Sequence, residues 1–319
     1  MSPPGRPKGE HRRAQPEGTL MSLAIEALPG VAPSLLGESP LWHPSEQVLY
    51  WCDIPGRRLN RFDPGSGAHE AWPFDTELSC CAPLASGGLL LALRSGLVRF
   101  DPATGQSRRL AKAPYDVSVE RFNDGKADPR GRFWVGTIHE PREPRAALYR
   151  FAAGRLDEMV GDITVSNGLA WSPDARTMYW ADTQAHTVFA MDFDVGTGSL
   201  SRRRVFAQFP VKVPDQPLAS YGGRPDGAAV DAEGGYWVAM FEGARLLRFA
   251  PDGSLAREIA LPVRCPTMPC FGGPDLKTLY ITSAREKRPD DELAREPWAG
   301  CVLQLRVEVP GLPANFAQL

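Results

Sequence analysis

The sequence predicts an all-β protein, a six-bladed β-propeller, and three observations support this fold. A phrase that begins with one polar residue recurs along the chain. Its four clearest copies begin at Glu38, Asn123, Asn167 and Asp226. Two weaker copies, from Cys80 and Cys270, fill the gaps and bring the count to six. Pro and Gly each occur 31 times, as many turns require, and only one short helix is indicated, around Asp290–Arg295.

Each copy of the phrase has the same strand–turn–strand form. A short apolar stretch leads through a Pro/Gly/Asp turn to an aromatic and β-branched run, which is the composition typical of a strand. The clearest runs are Gln47–Trp51, Phe133–Thr137, Met178–Ala181, Tyr236–Met240 and Thr278–Thr282. A second hairpin follows each copy, so the repeat is roughly forty to sixty residues long. That period is typical of propeller blades.

The ends of the chain are expected to close the ring. A propeller commonly pairs its N- and C-terminal strands in one blade, which removes exposed sheet edges. Leu23–Leu28 is the candidate to join the last blade near Val302–Val307. We therefore predict one propeller domain over residues 21–319. A β-sandwich or two stacked β domains is the alternative, but six similar units without linker composition between them favour a ring.

Residues 1–20 differ from the remainder, since they are rich in Pro, Gly and charge and have no apolar periodicity. We expect a disordered tail there, or a start-codon artefact if Met21 is the true start. The tail lacks the apolar centre of a secretory signal. None of the six cysteines forms a CxxC pair, so we expect free, mostly buried thiols in a reducing cytoplasm.

Composition excludes several classes of partner. The net charge of −2 gives no reason to expect nucleic acid or an anionic membrane. The longest apolar runs, such as Tyr236–Phe241, are too short to span a bilayer. We expect a soluble protein, a monomer or a weak homo-oligomer, that acts on a small molecule.

The polar residues open equivalent copies of the repeated phrase, and this shared phase predicts a cation site. In a propeller the first strand of each blade lines the central channel, so Glu38, Asn123, Asn167 and Asp226 would meet at its mouth. Two carboxylates and amide oxygens suit Ca²⁺, Mg²⁺ or Mn²⁺. Zn²⁺ or Fe²⁺ is less strongly indicated, because no His shares this phase. The other two units place Ser79/Cys80 and Pro269/Cys270 at the corresponding point.

Each of these residues also has a simpler interpretation. Asn and Asp before Gly are common turn residues, and Glu38 before Ser-Pro could cap a turn. Motifs of other chemistries are missing from the sequence, since it contains no GxSxG elbow, P-loop or dinucleotide GxGxxG. Ser/His/Asp catalysis on another geometry remains an alternative.

At these motifs the sequence resembles the gluconolactonase and regucalcin-like family, also called the senescence-marker-protein family. The resemblance extends from about Leu36 to the C-terminus. It rests on LGESPLWHP, ERFNDGKADPRGRFWVGT, SNGLAWSPD, PDGAAVD and FGGPDLKTLYITSA, which occur in the family's order. The resemblance implies a six-bladed propeller with one divalent metal ion at the channel mouth, commonly hydrolysing sugar lactones.

The same resemblance implies roles for individual residues. Glu38, Asn167 and Asp226 match the metal ligands, and Asp226 also matches the catalytic acid/base. Arg121 and Asn123 match positions that contact substrate oxygens. A salt bridge between Arg121 and neighbouring Glu120 or Asp124 is the alternative interpretation of that arginine.

One further acid and several loops complete the expected site. Glu140 follows the Gly-Thr pair of the third blade, where a family acid touches substrate, although the alignment is uncertain by one residue. Substrate choice is expected to depend on four loops at the mouth: Ser79–Cys81, His139–Arg145, Val211–Arg224 and Arg285–Trp298. The third is either a lid or a passive loop.

Three functions are therefore open at this point. The first is metal-dependent hydrolysis of a sugar lactone such as gluconolactone to its aldonic acid. The second is an esterase or phosphotriesterase on the same scaffold. The third is a non-catalytic calcium-binding protein like regucalcin, and the fold alone cannot decide among them.

Overall fold

The computed structural model describes residues 24–319, which form six four-stranded antiparallel sheets. The first blade contains β2 (Gly37–His43), β3 (Val48–Asp53), β4 (Arg58–Asp63) and β5 (Ala68–Pro73). The second contains β6 (Leu78–Pro83), β7 (Leu89–Leu93), β8 (Gly96–Asp101) and β9 (Gln106–Lys112). The third contains β10 (Glu120–Ala127), β11 (Phe133–His139), β12 (Ala146–Ala152) and β13 (Arg155–Ile163).

The remaining blades repeat this order. The fourth contains β14 (Ser166–Trp171), β15 (Thr177–Asp182), β16 (Thr187–Asp194) and β17 (Ser199–Gln208). The fifth contains β18 (Arg224–Val230), β19 (Tyr236–Phe241), β20 (Arg245–Phe249) and β21 (Leu255–Ala260). The sixth contains β22 (Pro266–Gly272), β23 (Thr278–Ser283), β24 (Leu303–Arg306) and β1 (Glu26–Ala27). The predicted helix is confirmed as α1 (Asp290–Arg295), and a 3-10 turn occupies Leu218–Ser220.

The ring closes as the sequence predicts. β1 pairs antiparallel with β24, so that Glu26 lies opposite Gln304 and Ala27 lies opposite Leu303. An N-terminal strand thus completes the C-terminal blade, and the six-bladed propeller is confirmed. The predicted tail over residues 1–20, and Leu23 of the predicted closing strand, lie outside the described residues.

The blades pack through large aromatic side chains on their second strands. Trp51, Trp134, Trp180 and Trp237 are all fully buried. A buried indole needs a partner for its N–H, and each of these has one. Trp134 donates to Asp128 Oδ2 over 2.8 Å, and the indoles of the other three donate to Ser34, Ser166 and Asp231. Losing one such side chain to Ala typically costs about 3–5 kcal/mol.

The first strand of every blade lines the central channel. These strands are buried along almost their whole length, whereas the fourth strands of the first five blades are exposed or half-buried at nearly every position. At their ends, all six first strands border a cavity of about 320 Å³ that residues 312–315 also line. Glu38, Asn167 and Asp226 do not line this cavity, because they lie near the starts of their strands.

Each of the six first strands carries a register shift near its start. The shifts fall at Phe122/Gly125, Asn167/Ala170 and Pro225/Ala228, and at the equivalent points of β2, β6 and β22. A bulge redirects the side chains beside it, and bulges commonly occur next to active sites. In the sixth blade the shift lies between Pro266 and Met268. β22 begins at Pro266, so Thr267 takes the second position of its strand, as Glu38 and Asn167 do in theirs, whereas Pro269 and Cys270 line the cavity at the other end. The prediction of Pro269/Cys270 was wrong by two to three residues.

Two further predictions concern the thiols and the membrane. All six cysteines are free; Cys270 and Cys301 are half-buried and the other four are buried. Within residues 24–319, no helix has both the length and the apolar character that crossing a bilayer requires.

Candidate metal centre

The structure brings the four predicted polar side chains together at one end of the channel. Glu38, Asn123, Asn167 and Asp226 are each less than one-tenth exposed. Asn123 Nδ2 donates to Asn167 Oδ1 over 3.0 Å, and the negative charge of Asp226 reaches Glu38 closely enough to raise its pKa. Four blades thus contribute one oxygen-bearing side chain each, as the shared phase predicts.

Burial dominates the electrostatics of the two carboxylates. Loss of solvent, followed by repulsion from Asp226 and Asp124, raises the pKa of Glu38 well above its ordinary value. Burial also raises the pKa of Asp226 to about 8, although the charges of Arg224 and Arg121 act in the opposite direction. Buried like charges cannot both ionise at neutral pH without a compensating cation.

Among residues 24–319, no cationic side chain pairs directly with either carboxylate. The only hydrogen bond that the Glu38 side chain accepts there comes from the backbone N–H of Ser39, over 3.2 Å, and neither Glu38 nor Asp226 has a Lys, Arg or His partner within 4.0 Å. Uncompensated buried charge is costly, whereas two carboxylates beside amide oxygens suit a hard divalent cation. The residues therefore fit a metal ion, and Glu38, Asn167 and Asp226 would hold it.

The described residues contain no group of three or more His, Cys, Asp or Glu side chains arranged for a metal. The predicted ligand set is of another kind, because it has two carboxylates and takes its remaining oxygens from amides. Ligands of this kind favour Ca²⁺, Mg²⁺ or Mn²⁺ over Zn²⁺.

A threonine that the sequence-based predictions missed fixes the amide of Asn167. Asn167 Nδ2 donates to Thr183 Oγ1 over 2.8 Å, and the same hydroxyl donates to the Pro225 carbonyl over 2.7 Å. With Nδ2 held in this way, Oδ1 of Asn167 accepts the hydrogen bond from Asn123. Thr183 could have been found from the sequence, because it directly follows the second strand of the blade whose first strand carries Asn167.

Arg121 lies beside the carboxylates, and its side chain is 12% exposed. Its Nη1 donates to Asn123 Oδ1 and to the Phe122 carbonyl, over 2.9 Å each. Within residues 24–319 its only ion pair is a long contact of 3.9 Å with Glu140, so the alternative salt bridge with Glu120 or Asp124 was wrong. The two bonds from Nη1 fix the orientation of the guanidinium and therefore the direction of its remaining N–H groups.

Glu140 lies at the rim of the mouth, where its side chain is 40% exposed. Arg94, which was not among the predicted site residues, donates from Nη2 to Glu140 Oε1 over 2.6 Å and pairs with Glu77 over 3.0 Å. The structure thus places Glu140 on the same face as Arg121. Its strongest contact is with Arg94 and not with the carboxylates of the centre.

Asp124 is a second residue that the sequence-based predictions missed. Its Oδ2 accepts a hydrogen bond from the Leu169 backbone over 2.8 Å, and its Oδ1 is buried without a partner among the described residues. Burial raises the pKa of Asp124, while the charge of Lys126 lowers it. Lys126 Nζ donates to the Ala228 carbonyl further along the channel.

Comparison with known proteins places this geometry in a family. A family model described as the SMP-30/gluconolactonase/LRE-like region matches residues 36–285. A Pseudomonas putida protein named 6-deoxy-6-sulfogluconolactonase is 47% identical over 283 residues, which cover 88% of this chain and 94% of that protein. Regucalcin of Xenopus laevis is 34% identical over 88% of this chain and 95% of its own length.

A solved structure gives the same result. The calcium-binding protein regucalcin from Agrobacterium tumefaciens superposes with a TM-score of 0.86 at 30% identity, over 93% of this chain and 98% of that one. Because the family model spans most of the propeller and the relatives match almost end to end, the chain belongs to the SMP-30/gluconolactonase/LRE-like family.

Proposed function

We propose that this protein is a divalent-metal-dependent lactonase that hydrolyses a sugar lactone to its aldonic acid. The observation that carries the proposal is the meeting of Glu38, Asn167 and Asp226 beside Arg121 at the channel mouth. Family membership and the names of relatives support lactones as the substrate class.

The ligand residues suit the chemistry that this reaction needs. A bound divalent cation supplies Lewis-acid polarisation of a carbonyl oxygen, which lowers the barrier by several kcal/mol. Glu38, Asn167 and Asp226 would hold it, and Thr183 and Asn123 keep the amide oxygen of Asn167 in place. Ca²⁺, Mg²⁺, Mn²⁺ and Zn²⁺ are the ions to test.

Asp226 is the proposed general base and acid. A carboxylate has two oxygens, so one can serve as a ligand while the other accepts the proton of the attacking water. Once protonated, the same oxygen can donate to the departing ring oxygen of the lactone. Burial raises the pKa of Asp226 to about 8 in the metal-free chain, and a bound cation would lower it, so that the carboxylate could accept a proton near neutral pH.

Arg121 and Asn123 are the proposed substrate-positioning residues. Two bonds from Nη1 fix the guanidinium of Arg121, so its other donors keep a set direction without losing further side-chain freedom. Such donors can hold sugar hydroxyls or the lactone carbonyl at a fixed position relative to Asp226. Glu140 is a weaker candidate for a hydroxyl contact, because Arg94 already occupies its Oε1.

A calcium-binding role without catalysis is the second candidate, because the Agrobacterium tumefaciens neighbour is described as a calcium-binding protein. The anchored Arg121 favours the enzyme, since metal storage alone does not require a guanidinium fixed beside the ligands. An esterase or phosphotriesterase activity stays an alternative that the same assay can include.

The test compares Asp226→Asn with Asp252→Asn. Asp252 is an exposed turn residue that bonds to Ser254, so its variant controls for the change of a carboxylate to an amide. Proton release from gluconolactone, after subtraction of the spontaneous rate, is measured with and without exhaustive chelation. We expect Asp226→Asn to lose about 10²–10⁴-fold in kcat while its circular-dichroism spectrum stays β-rich.

Two results would contradict the proposal. One is an Asp226→Asn enzyme with most of the wild-type turnover. The other is full activity after metal removal. Tight binding of calcium with no hydrolysis of any lactone, aryl ester or organophosphate would favour the second candidate.

A further inference from the structure

The cavity of about 320 Å³ at the other end of the channel, which we call the far-end cavity, lies apart from the proposed metal centre. All six first strands contribute residues to it, but Glu38, Arg121, Asn123, Asn167 and Asp226 do not line it. Its volume falls at the lower end of the range for ligand pockets, about 300–1,000 Å³. The far-end cavity therefore has room for a small molecule that the proposed reaction does not use.

The C-terminal segment builds one wall of the far-end cavity, which residues 312–315 line. Two hydrogen bonds fix this segment to different blades. Asn315 Nδ2 donates to the Ala127 carbonyl of the third blade over 3.1 Å, and the backbone N–H of Ala317 donates to the Pro83 carbonyl of the second blade over 2.7 Å. The wall is thus held in place by the propeller and does not depend on a bound partner.

Apolar side chains form most of the lining of the far-end cavity. The largest of them are Leu41, Trp42, Trp171, Phe271 and Leu312. Among residues 24–319, no Asp, Glu, Arg or His side chain lines the cavity, and Lys126 is the one charged side chain that does. Exposed prolines at positions 129 and 173 also line it, so solvent reaches the cavity from this end of the propeller.

Lys126 is half-buried and extends across the channel. It belongs to β10 of the third blade, and its Nζ donates to the carbonyl of Ala228 in β18 of the fifth blade. This is the only hydrogen bond of the ammonium group among residues 24–319, and no carboxylate there lies within 4.0 Å of Nζ. Because an ammonium group has three N–H donors, two of them have no partner among the described residues.

Asp124 lies two residues before Lys126 in β10, but it does not occupy these donors. It is not among the residues that line the far-end cavity, and its Oδ2 accepts the backbone N–H of Leu169 over 2.8 Å. Asp124 offsets the charge of Lys126 within the channel as a whole. The cavity itself is bordered by the cation and by apolar carbon, without an acid among residues 24–319.

This lining suits a ligand with one negative charge and an apolar body. A hydrogen bond between an ammonium and a carboxylate is charge-assisted and therefore stronger than a neutral one. Apolar carbon gains free energy when it leaves water for walls of indole and aliphatic groups. A dianion such as phosphate would lose more hydration than a single ammonium replaces, and the hydroxyls of a sugar acid would find few partners there.

We propose that the far-end cavity binds a small organic monocarboxylate. Its carboxylate accepts hydrogen bonds from Nζ of Lys126, and its apolar body lies against Trp42, Trp171 and Phe271. Aliphatic and aromatic acids share this chemistry. The site is separate from the proposed metal centre, and it does not depend on the proposed lactonase function.

The test measures binding by isothermal titration to the metal-loaded protein. The ligands are octanoate and benzoate, with 1-octanol and inorganic phosphate for comparison. We expect one carboxylate per chain, bound about tenfold or more tightly than the alcohol or phosphate. Tighter binding of octanoate supports an aliphatic ligand, and tighter binding of benzoate supports an aromatic one. Failure of both acids to bind, or equal affinity for octanoate and 1-octanol, overturns the proposal.

Two variants locate the binding. Lys126→Met should weaken it about tenfold or more, whereas Lys277→Met should not change it. Lys277 is the matched control, because it lies in the hairpin between β22 and β23 at the same end of the propeller, is half-buried and does not line the cavity. Ala314→Trp fills the cavity from the C-terminal segment and should also abolish binding. Equal losses in the two lysine variants, or unchanged binding in Ala314→Trp, overturn the proposal.

The same titration after exhaustive chelation separates this cavity from the metal centre, because divalent cations also bind carboxylates. Binding at Lys126 should persist without metal. Binding that disappears with the metal belongs to the other end of the channel and overturns the proposal.

Discussion

Asn123 of the third blade donates its side-chain amide to Oδ1 of Asn167 in the fourth blade, over 3.0 Å. The same amide donates to the Ser166 carbonyl over 2.8 Å, and Oδ1 of Asn123 accepts from Arg121. One residue thus joins the proposed substrate-positioning arginine to a proposed metal ligand. Such outer contacts orient ligands and tune the affinity of a metal site.

Replacing Asn123 by Ala should weaken both metal binding and the positioning of substrate. Asn167 loses the donor that fixes its Oδ1, and Arg121 loses the acceptor that holds Nη1. We expect metal affinity to fall about tenfold or more, as for other outer contacts of metal sites, with a larger loss in kcat/KM. Isothermal titration with Ca²⁺ and Mn²⁺ measures the first, and lactone hydrolysis measures the second.

Asn315→Ala is the matched control, because Asn315 also donates one amide bond, to the Ala127 carbonyl at the other end of the channel. It should leave metal affinity unchanged. Equal effects of the two variants would mean that Asn123 acts only through general stability.

Thr183→Val should separate ligand orientation from packing. Valine matches the shape of threonine but removes the hydroxyl that joins Asn167 to the Pro225 carbonyl. We expect about tenfold weaker metal binding and a loss of about 1–3 kcal/mol in the free energy of unfolding. Thr183→Ser should restore the affinity.

Thr187→Val serves as the control for Thr183→Val, since the Thr187 hydroxyl bonds only locally to the Ala185 carbonyl. If both valine variants bind metal like the wild type, Thr183 has no orienting role.

The pH dependence of stability in the metal-free protein should reflect the titration of Asp226. Burial raises its pKa to about 8 in the folded chain, whereas the unfolded chain releases the proton near 3.8. The folded state therefore favours the protonated form, and stability is lost as pH rises from about 4 to about 8. Metal affinity should increase over the same range, because the cation competes with that proton.

Thermal unfolding in chelator at pH 5 and pH 8 measures this effect in wild type and Asp226→Asn. Between pH 5 and pH 8, the wild type should lose more stability than the variant. Identical pH profiles would show that Asp226 is not the responsible group.

Much of the fold was predictable because the repeat is local. Pro/Gly turns and aromatic strands specify hairpins within each unit, and β1 closes the sixth blade where the sequence indicated. The convergence of Glu38, Asn123, Asn167 and Asp226 followed from their common phase. The same reasoning failed for Cys270, because β22 begins four residues earlier, at Pro266, and this start places Thr267 at the mouth.

Contacts between loops could not be predicted from the sequence, for a different reason. Arg94 and Glu140 each directly follow the second strand of their blade, as Thr183 does, but nothing in the sequence shows that these two side chains meet between blades. Asp124 adjoins the predicted Asn123, but only the bulge between Phe122 and Gly125 shows that both side chains can serve the channel. Such pairs depend on how the blades meet.

The most direct test of the central claim is the number of divalent ions bound per chain, measured by elemental analysis after dialysis. We predict one ion for the wild type, and none for Glu38→Gln or Asp226→Asn, with lactone hydrolysis lost in parallel and regained when the wild type is reloaded. A wild-type protein that hydrolyses lactones without any bound ion, or a Glu38→Gln variant that keeps both its ion and its activity, would contradict the account.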